Sequence, residues 1–219
     1  MSRPGVFVTL EGGEGTGKTT QLALLARRVE AAGWCVVTTR EPGGTALGAR
    51  VRALLVRVSD DPPGGLAELF LYAADRAHHV ETVIRPALEA GRAVLCDRYA
   101  DATEAYQGYG RGLPLEAVRH VNRLATGGLW PRRAVVLDLP PAEGVRRALE
   151  RQSRGHGPRE ERFEAELLAF HERVRAGYRA LAASSPERVR LVDASGSPEA
   201  VAERVWAQVA EVFGVMGDR

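Results

Sequence analysis

Residues 6 to 32 constrain the architecture of this chain more tightly than any other stretch. Val6-Phe7-Val8-Thr9-Leu10 is short, β-branched and mostly apolar, the pattern of a buried parallel strand. From Lys18 to Ala32, Leu22, Leu25, Ala26 and Val29 recur at helical spacing. Between the two lies Gly12-Gly13-Glu14-Gly15-Thr16-Gly17-Lys18-Thr19, which matches G-x-x-x-x-G-K-[ST], the phosphate-binding P-loop. A strand running into such a loop and a helix leaving it commit the chain to an α/β architecture. Backbone N–H groups of the loop wrap the phosphates of a nucleotide, and the helix N-terminus turns its partial positive charge toward them. Glycine supplies backbone conformations closed to residues with a Cβ. The expected roles follow. Gly12 to Thr20 form the nucleotide cradle, Lys18 reaches the β- and γ-phosphates, Thr19 offers a hydroxyl to Mg²⁺, and Thr20 opens the helix.

Lys18 is the only lysine among thirty basic residues; the other twenty-nine are arginine. A compact ammonium on a flexible stem suits the phosphate site where the planar fork of arginine does not. Twenty-eight acidic residues leave a net charge of +2. Glu161/Arg162, Glu172/Arg173 and Glu203/Arg204 mix the two signs along the same helices. No basic stripe stands apart from acids, which argues against nucleic acid as a partner. No apolar run approaches the roughly 18 residues of a membrane span, and no charged-then-apolar leader opens the sequence, so the expectation is a cytoplasmic protein without a membrane partner. Cys35 and Cys96 sit in apolar, strand-like runs and read as buried small hydrophobes rather than a disulfide.

Further strand-like runs, Cys35–Thr39, Ala93–Cys96, Ala134–Leu139 and Val189–Val192, alternate with helical patterns at about 45–57, 66–90, 101–126, 141–184 with one break, and 197–213. The alternation predicts one domain over 1–219: a five-stranded parallel sheet with helices on both faces. Ser153-Arg154-Gly155-His156-Gly157-Pro158 breaks a helical region with Gly and Pro flanked by Arg, and reads as part of a short lid over about 147–160. Ligands of open α/β sheets bind beyond the carboxyl ends of the strands. Here those exits carry the P-loop, Arg40-Glu41-Pro42-Gly43-Gly44-Thr45 and Asp97-Arg98-Tyr99.

Four classes of P-loop protein compete: a GTPase switch, an ATP-driven motor, a small-molecule kinase and a nucleotide-sensing module. A GTPase reads guanine with an Asn-Lys-x-Asp segment, and no second lysine exists to build one. Motors are usually larger and carry coupling motifs absent here. A small kinase needs a donor site, a cationic acceptor site and a lid that excludes water, and each has a candidate in this chain.

Four blocks, in order, resemble the bacterial thymidylate kinases: Phe7-Val8-Thr9-Leu10-Glu11-Gly12 with the P-loop; Thr39-Arg40-Glu41-Pro42-Gly43-Gly44-Thr45; Tyr72-Ala73-Ala74-Asp75-Arg76-Ala77-His78-His79; and Asp97-Arg98-Tyr99 followed by Ala105-Tyr106-Gln107-Gly108-Tyr109-Gly110-Arg111-Gly112. The resemblance spans about residues 6 to 213 and implies the P-loop kinase fold, ATP and Mg²⁺, transfer of the γ-phosphoryl group to dTMP, and a homodimer. Other readings remain open: another nucleoside monophosphate or deoxynucleoside kinase, or a nucleotide-binding protein that transfers nothing.

The resemblance also implies residue roles. Tyr72 stacks on thymine, unless it is a core aromatic beside Leu69, Phe70 and Leu71. Arg76, one turn on, bonds a thymine carbonyl, and Gln107 helps read the base edge. Arg98 clamps the dTMP phosphate, with Arg40 a second candidate. Asp97 holds Mg²⁺ through water, balances Arg98, or merely caps a helix. Glu14 approaches the 3′-hydroxyl, and Tyr106 crowds the 2′-position in favour of deoxyribose. Glu11 is either functional or a support for the loop. Because Gly15 leaves no side-chain cation at that loop position, charge on the transferred group falls to lid arginines, Arg151 and Arg154 first, with Arg147 behind them. Two positions depart from the family pattern. Ala102 stands where Ser is usual, with Thr103 beside it as a substitute contact. Glu161-Arg162-Phe163-Glu164 stands where Asp-Arg-x-Glu is commoner. No metal site beyond Mg²⁺ is expected.

Overall fold

A computed structural model describes residues 3–56, 59–153, 161–164 and 166–215. Five strands, β1 (Val6–Gly12), β2 (Val36–Arg40), β3 (Ala93–Asp97), β4 (Arg133–Asp138) and β5 (Val189–Asp193), form one sheet in the order β2-β3-β1-β4-β5. Every neighbouring pair is parallel. β1 is central, so both its faces are covered and its seven residues are all buried, as its apolar sequence requires.

Alternate residues feed two different cores. Val6, Val8 and Leu10 of β1, with Leu95, Val135 and Leu137, pack against Leu25 and Val29 of α1 (Lys18–Ala31) and Val201, Val205 and Val209 of α10 (Pro198–Val209). On the opposite face, Phe7, Val94 and Cys96 meet Val80 and Ile84, while Ala134 and Val136 meet Phe170, Val174 and Tyr178 of α9 (Leu168–Ser184). The two-residue period of the strands produces this division.

The helical reading over 66–90 resolves into α3 (Gly65–His79), a π-helical turn over Val80–Ile84, and α4 (Arg85–Glu89). Pro86 lies in the first turn of α4 and has no N–H to donate, so the preceding ladder widens to meet it. The reading over 101–126 was too continuous. α5 (Ala100–Thr103) runs into a π-helical segment, Glu104–Gly110, and α6 (Leu115–Thr126) starts afresh behind Pro114, after Gly112 takes a φ of 77°. Cys96 is buried, but Cys35 is exposed, a correction to its expected burial: it precedes β2, the edge strand, rather than lying within it. Both cysteines are free. The late helical region contains α7 (Pro141–Ser153), α8 (Glu161–Glu164) and α9, so a second break separates α8 from α9. Among the described residues no helix is long and apolar enough to cross a membrane.

Candidate active site

The P-loop leaves the centre of the sheet and ends at Gly17, whose left-handed φ of 89° turns the chain into α1. Lys18 is 8% exposed, and its Nζ donates to the carbonyls of Gly12 at 3.2 Å and Gly13 at 2.7 Å. Burial, reinforced by the Arg98 guanidinium, lowers its pKa to about 8. Gly15 has a φ of 64°, and a methyl there would stand 1.9 Å from the carbonyl oxygen of Gly144 in α7. The loop and this helix approach backbone to backbone, which explains why position 15 carries no side chain.

A cavity of about 1010 Å³ opens over the loop, lined by Glu14 to Thr20 together with Arg40, Asp97, Arg98 and Arg151. The Thr19 hydroxyl donates to Asp97 Oδ2 at 3.3 Å. These are hard oxygen donors beside the phosphate cradle, and they fit Mg²⁺, which keeps several waters and takes its other ligands from phosphate. Among the described residues no group of three or more His, Cys, Asp or Glu could hold a metal ion alone. Of the lid candidates, Arg151 faces this cavity, whereas Arg147 pairs with Glu143 on the preceding turn of α7. Arg154, and with it residues 154–160 of the expected lid, lies outside the described residues.

A second cavity of about 540 Å³ adjoins the first and is lined by Tyr72, Arg76, Thr103, Tyr106, Gln107 and Phe163, among others. Tyr72 is partly buried on this wall and belongs to none of the three apolar clusters. Arg76 shares the wall, as the i, i+4 spacing on α3 requires. It is 1% exposed and strongly organised: Nε donates to Glu41 Oε2 at 2.8 Å, Nη1 to Asn122 Oδ1 at 2.9 Å and Nη2 to Thr103 Oγ1 at 2.9 Å. Thr103 therefore holds Arg76, while Ala102 presents only a methyl to the cavity.

Glu14, Glu41, Arg52 and Arg98 line both cavities. Arg98 Nη2 and the Tyr106 hydroxyl both donate to Glu14 Oε1 at 2.7 Å, and Arg98 Nη1 donates to Gly12 O at 3.0 Å. Burial opposes charge on Glu14, but Arg98, Lys18 and the Tyr106 hydroxyl outweigh it and hold the carboxyl down to about 2. Arg98 has a φ of 69°, an unfavourable left-handed conformation for a side-chain-bearing residue. Its N–H bonds Leu10 O at 2.9 Å, so β1 enforces the turn that aims the guanidinium at the loop.

Sequence reasoning missed three groups. Glu41 is buried and accepts from Arg76, with His79 Nδ1 2.9 Å from its other oxygen. Arg52 of α2 (Ala46–Val56) borders both cavities and donates to Pro42 O at 2.8 Å. Glu68 is fully buried, although it stands one helical turn before Tyr72 on the face that carries Arg76; that four-residue series was the available signal. Glu11 lines neither cavity. It lies beneath the loop, accepting the Tyr178 hydroxyl at 3.2 Å on one oxygen, with no partner on the other. Burial first, then Asp101, raises its pKa to about 8.

The family model described as thymidylate kinase matches residues 10–205. The thymidylate kinase of Synechococcus sp. strain JA-2-3B'a(2-13) is 55% identical over 204 residues, covering 93% of this chain and 94% of the relative. That of Solidesulfovibrio magneticus is 53% identical over 209 residues, covering 95% and 100%. The crystal structure of thymidylate kinase from Ehrlichia chaffeensis superposes with a TM-score of 0.72 at 31% identity, covering 93% of this chain and 98% of that one. With a family model matched over residues 10–205 and relatives matched over nearly their whole length, the chain belongs to the thymidylate kinase family.

Proposed function

We propose that the cleft transfers the γ-phosphoryl group of ATP to dTMP, giving ADP and dTDP. The observation that carries this reading is the shared border of the two cavities, where Arg52 and Arg98 stand between a phosphate cradle and an aromatic-walled pocket. ATP would lie with its phosphates over the loop, and thymine against Tyr72, with Arg76 and Gln107 at its edge. The acceptor phosphate then meets Arg98 and Arg52, with Arg40 on the wall of the donor cavity. A phosphate monoester is already a competent nucleophile, so the residues need only align it and offset charge. Lys18, Arg98 and Arg151 do the latter, with Arg154 the further lid candidate. Thr19 and Asp97 are the residues that would hold Mg²⁺. The ion supplies neutralisation of β- and γ-phosphate charge. Tyr106, tied to Glu14, guards the sugar.

The protein acts, in this reading, as a cytoplasmic homodimer. ATP as donor and two free thiols suit a reducing compartment. The helices α2, α3 and α6 pack in series and expose Leu47, Leu54, Leu66, Phe70 and Leu124, an apolar face that a second copy would cover. A coupled assay of ADP release with dTMP, dUMP, dCMP, dAMP and dGMP tests the function. The highest kcat/KM should belong to dTMP. A faster alternative acceptor would transfer the assignment to that nucleotide, and no transfer to any of the five would favour a non-catalytic binding protein.

A further inference from the structure

Glu68 is a fully buried carboxylate of α3 that lines no part of the base pocket. Its Oε2 accepts from Gln107 Nε2 at 2.9 Å and from Arg111 Nε at 3.2 Å, and its Oε1 accepts from Arg162 Nη2. Arg162 of α8 is fixed in turn by the carbonyls of Leu55 and Pro63, each at 2.9 Å. Two guanidiniums therefore hold this carboxylate in place beside a residue of the base pocket.

A glutamine side chain has one donating and one accepting end, whereas a carboxylate between two guanidiniums only accepts. The Gln107 amide must turn its NH₂ toward Glu68, which leaves the carbonyl Oε1 for the pocket that Gln107 shares with Tyr72 and Arg76. A carbonyl in that position pairs with an imide N–H. Thymine and uracil carry one at N3, while cytosine carries a bare acceptor there and would face the carbonyl lone pair to lone pair. We propose that Glu68 is a specificity-determining positioning residue: by fixing the orientation of the Gln107 amide it makes the pocket select imide bases and reject cytosine. The proposal rests on Gln107 reading the base edge, and its test separates the two claims.

Glu68→Gln keeps the shape but can donate, which frees Gln107 to flip. The kcat/KM preference for dTMP over dCMP should fall by about 5- to 150-fold, the range for leaving one buried hydrogen bond unmade, with the change in nucleotide KM and none in the KM for ATP. Glu68→Asp, still an obligate acceptor, should restore most of the preference. A lowered Tm with the preference intact in Glu68→Gln would make Glu68 a structural brace and overturn the proposal. Gln107→Leu is the control: if it leaves the KM for dTMP unchanged, Gln107 does not read the base, and the underlying reading fails instead. Should neither Glu68 variant fold, hydrogen exchange of the Gln107 side-chain amide in the wild-type protein decides. Protected Nε2 protons support the proposal, and exchange as fast as an exposed amide overturns it.

Discussion

A buried carboxyl with one oxygen unpartnered, as at Glu11, leaves a mark on stability that can be measured apart from catalysis. Its folded pKa of about 8 stands above the ordinary 4.5, so the native state holds a proton that the unfolded chain releases. Stability from this site is therefore fullest below about 4.5 and declines as pH rises toward 8, by at most about 1.4 kcal/mol per pH unit. Glu11→Gln makes the neutral form permanent and can still accept the Tyr178 hydroxyl. Thermal melts between pH 4.5 and 9 should give the variant a Tm advantage that grows up to pH 8 and then levels. A constant difference, or one of opposite sign, would mean that Glu11 is charged in the fold. Glu14, three residues on, is the contrast: the same residue type is held down to about 2 by Arg98, and its contribution disappears only as pH falls from 4.5 through 2. Neither environment was legible from a single sequence, because Arg98, Asp101 and Tyr178 arrive from distant segments.

At the scale of elements, α7 has the most to say about turnover. Its first turn is pinned to the loop by the Gly15–Gly144 approach, and one face carries Arg151 to the phosphate cavity. Arg151→Ala should lower kcat by roughly 10²-fold or more, as the loss of an electrostatic group at the transferred phosphoryl does, with little change in the KM for dTMP. A near-normal kcat would remove Arg151 from the chemistry and leave Arg154 to be tested. Strand positions and the loop–helix junction were legible because β1, β3 and β4 are continuous apolar runs and the P-loop sequence is distinctive. Tyr72 and Arg76 were legible as one helix face. The break before α6 was not, because Gly112 and Pro114 sit between two helical patterns that merge when read by periodicity alone. Arg52 and Glu68 escaped for a different reason. In a chain so rich in Arg and Glu, a charged residue on a helix reads as solvated surface, and only the place of Arg52 on the cavity wall and the burial of Glu68 distinguish these two.

For the molecule as a whole, the uncovered apolar residues of α2, α3 and α6 set the expected assembly. Phe70 is 55% exposed and Leu124 70%, values that cost little in a dimer and invite association in a monomer. The double variant Phe70→Glu/Leu124→Glu should shift the mass measured by light scattering from twice the chain mass of 23.7 kDa to a single chain. An unchanged mass would place the interface elsewhere. A different kind of consequence comes from Lys18, the sole ε-amine in the sequence, which is sheltered in the loop and titrates near neutrality. Acylating or carbamylating reagents depend on the unprotonated amine, and apart from the α-amino group Lys18 is the one amine they find, with the exposed Cys35 thiol as the competing nucleophile. At about pH 8 half of that amine is free base, so modification mapped to Lys18 should track loss of turnover one for one, and ATP should shield it. The chain thus carries at Lys18 its own covalent probe of donor occupancy, without an engineered residue.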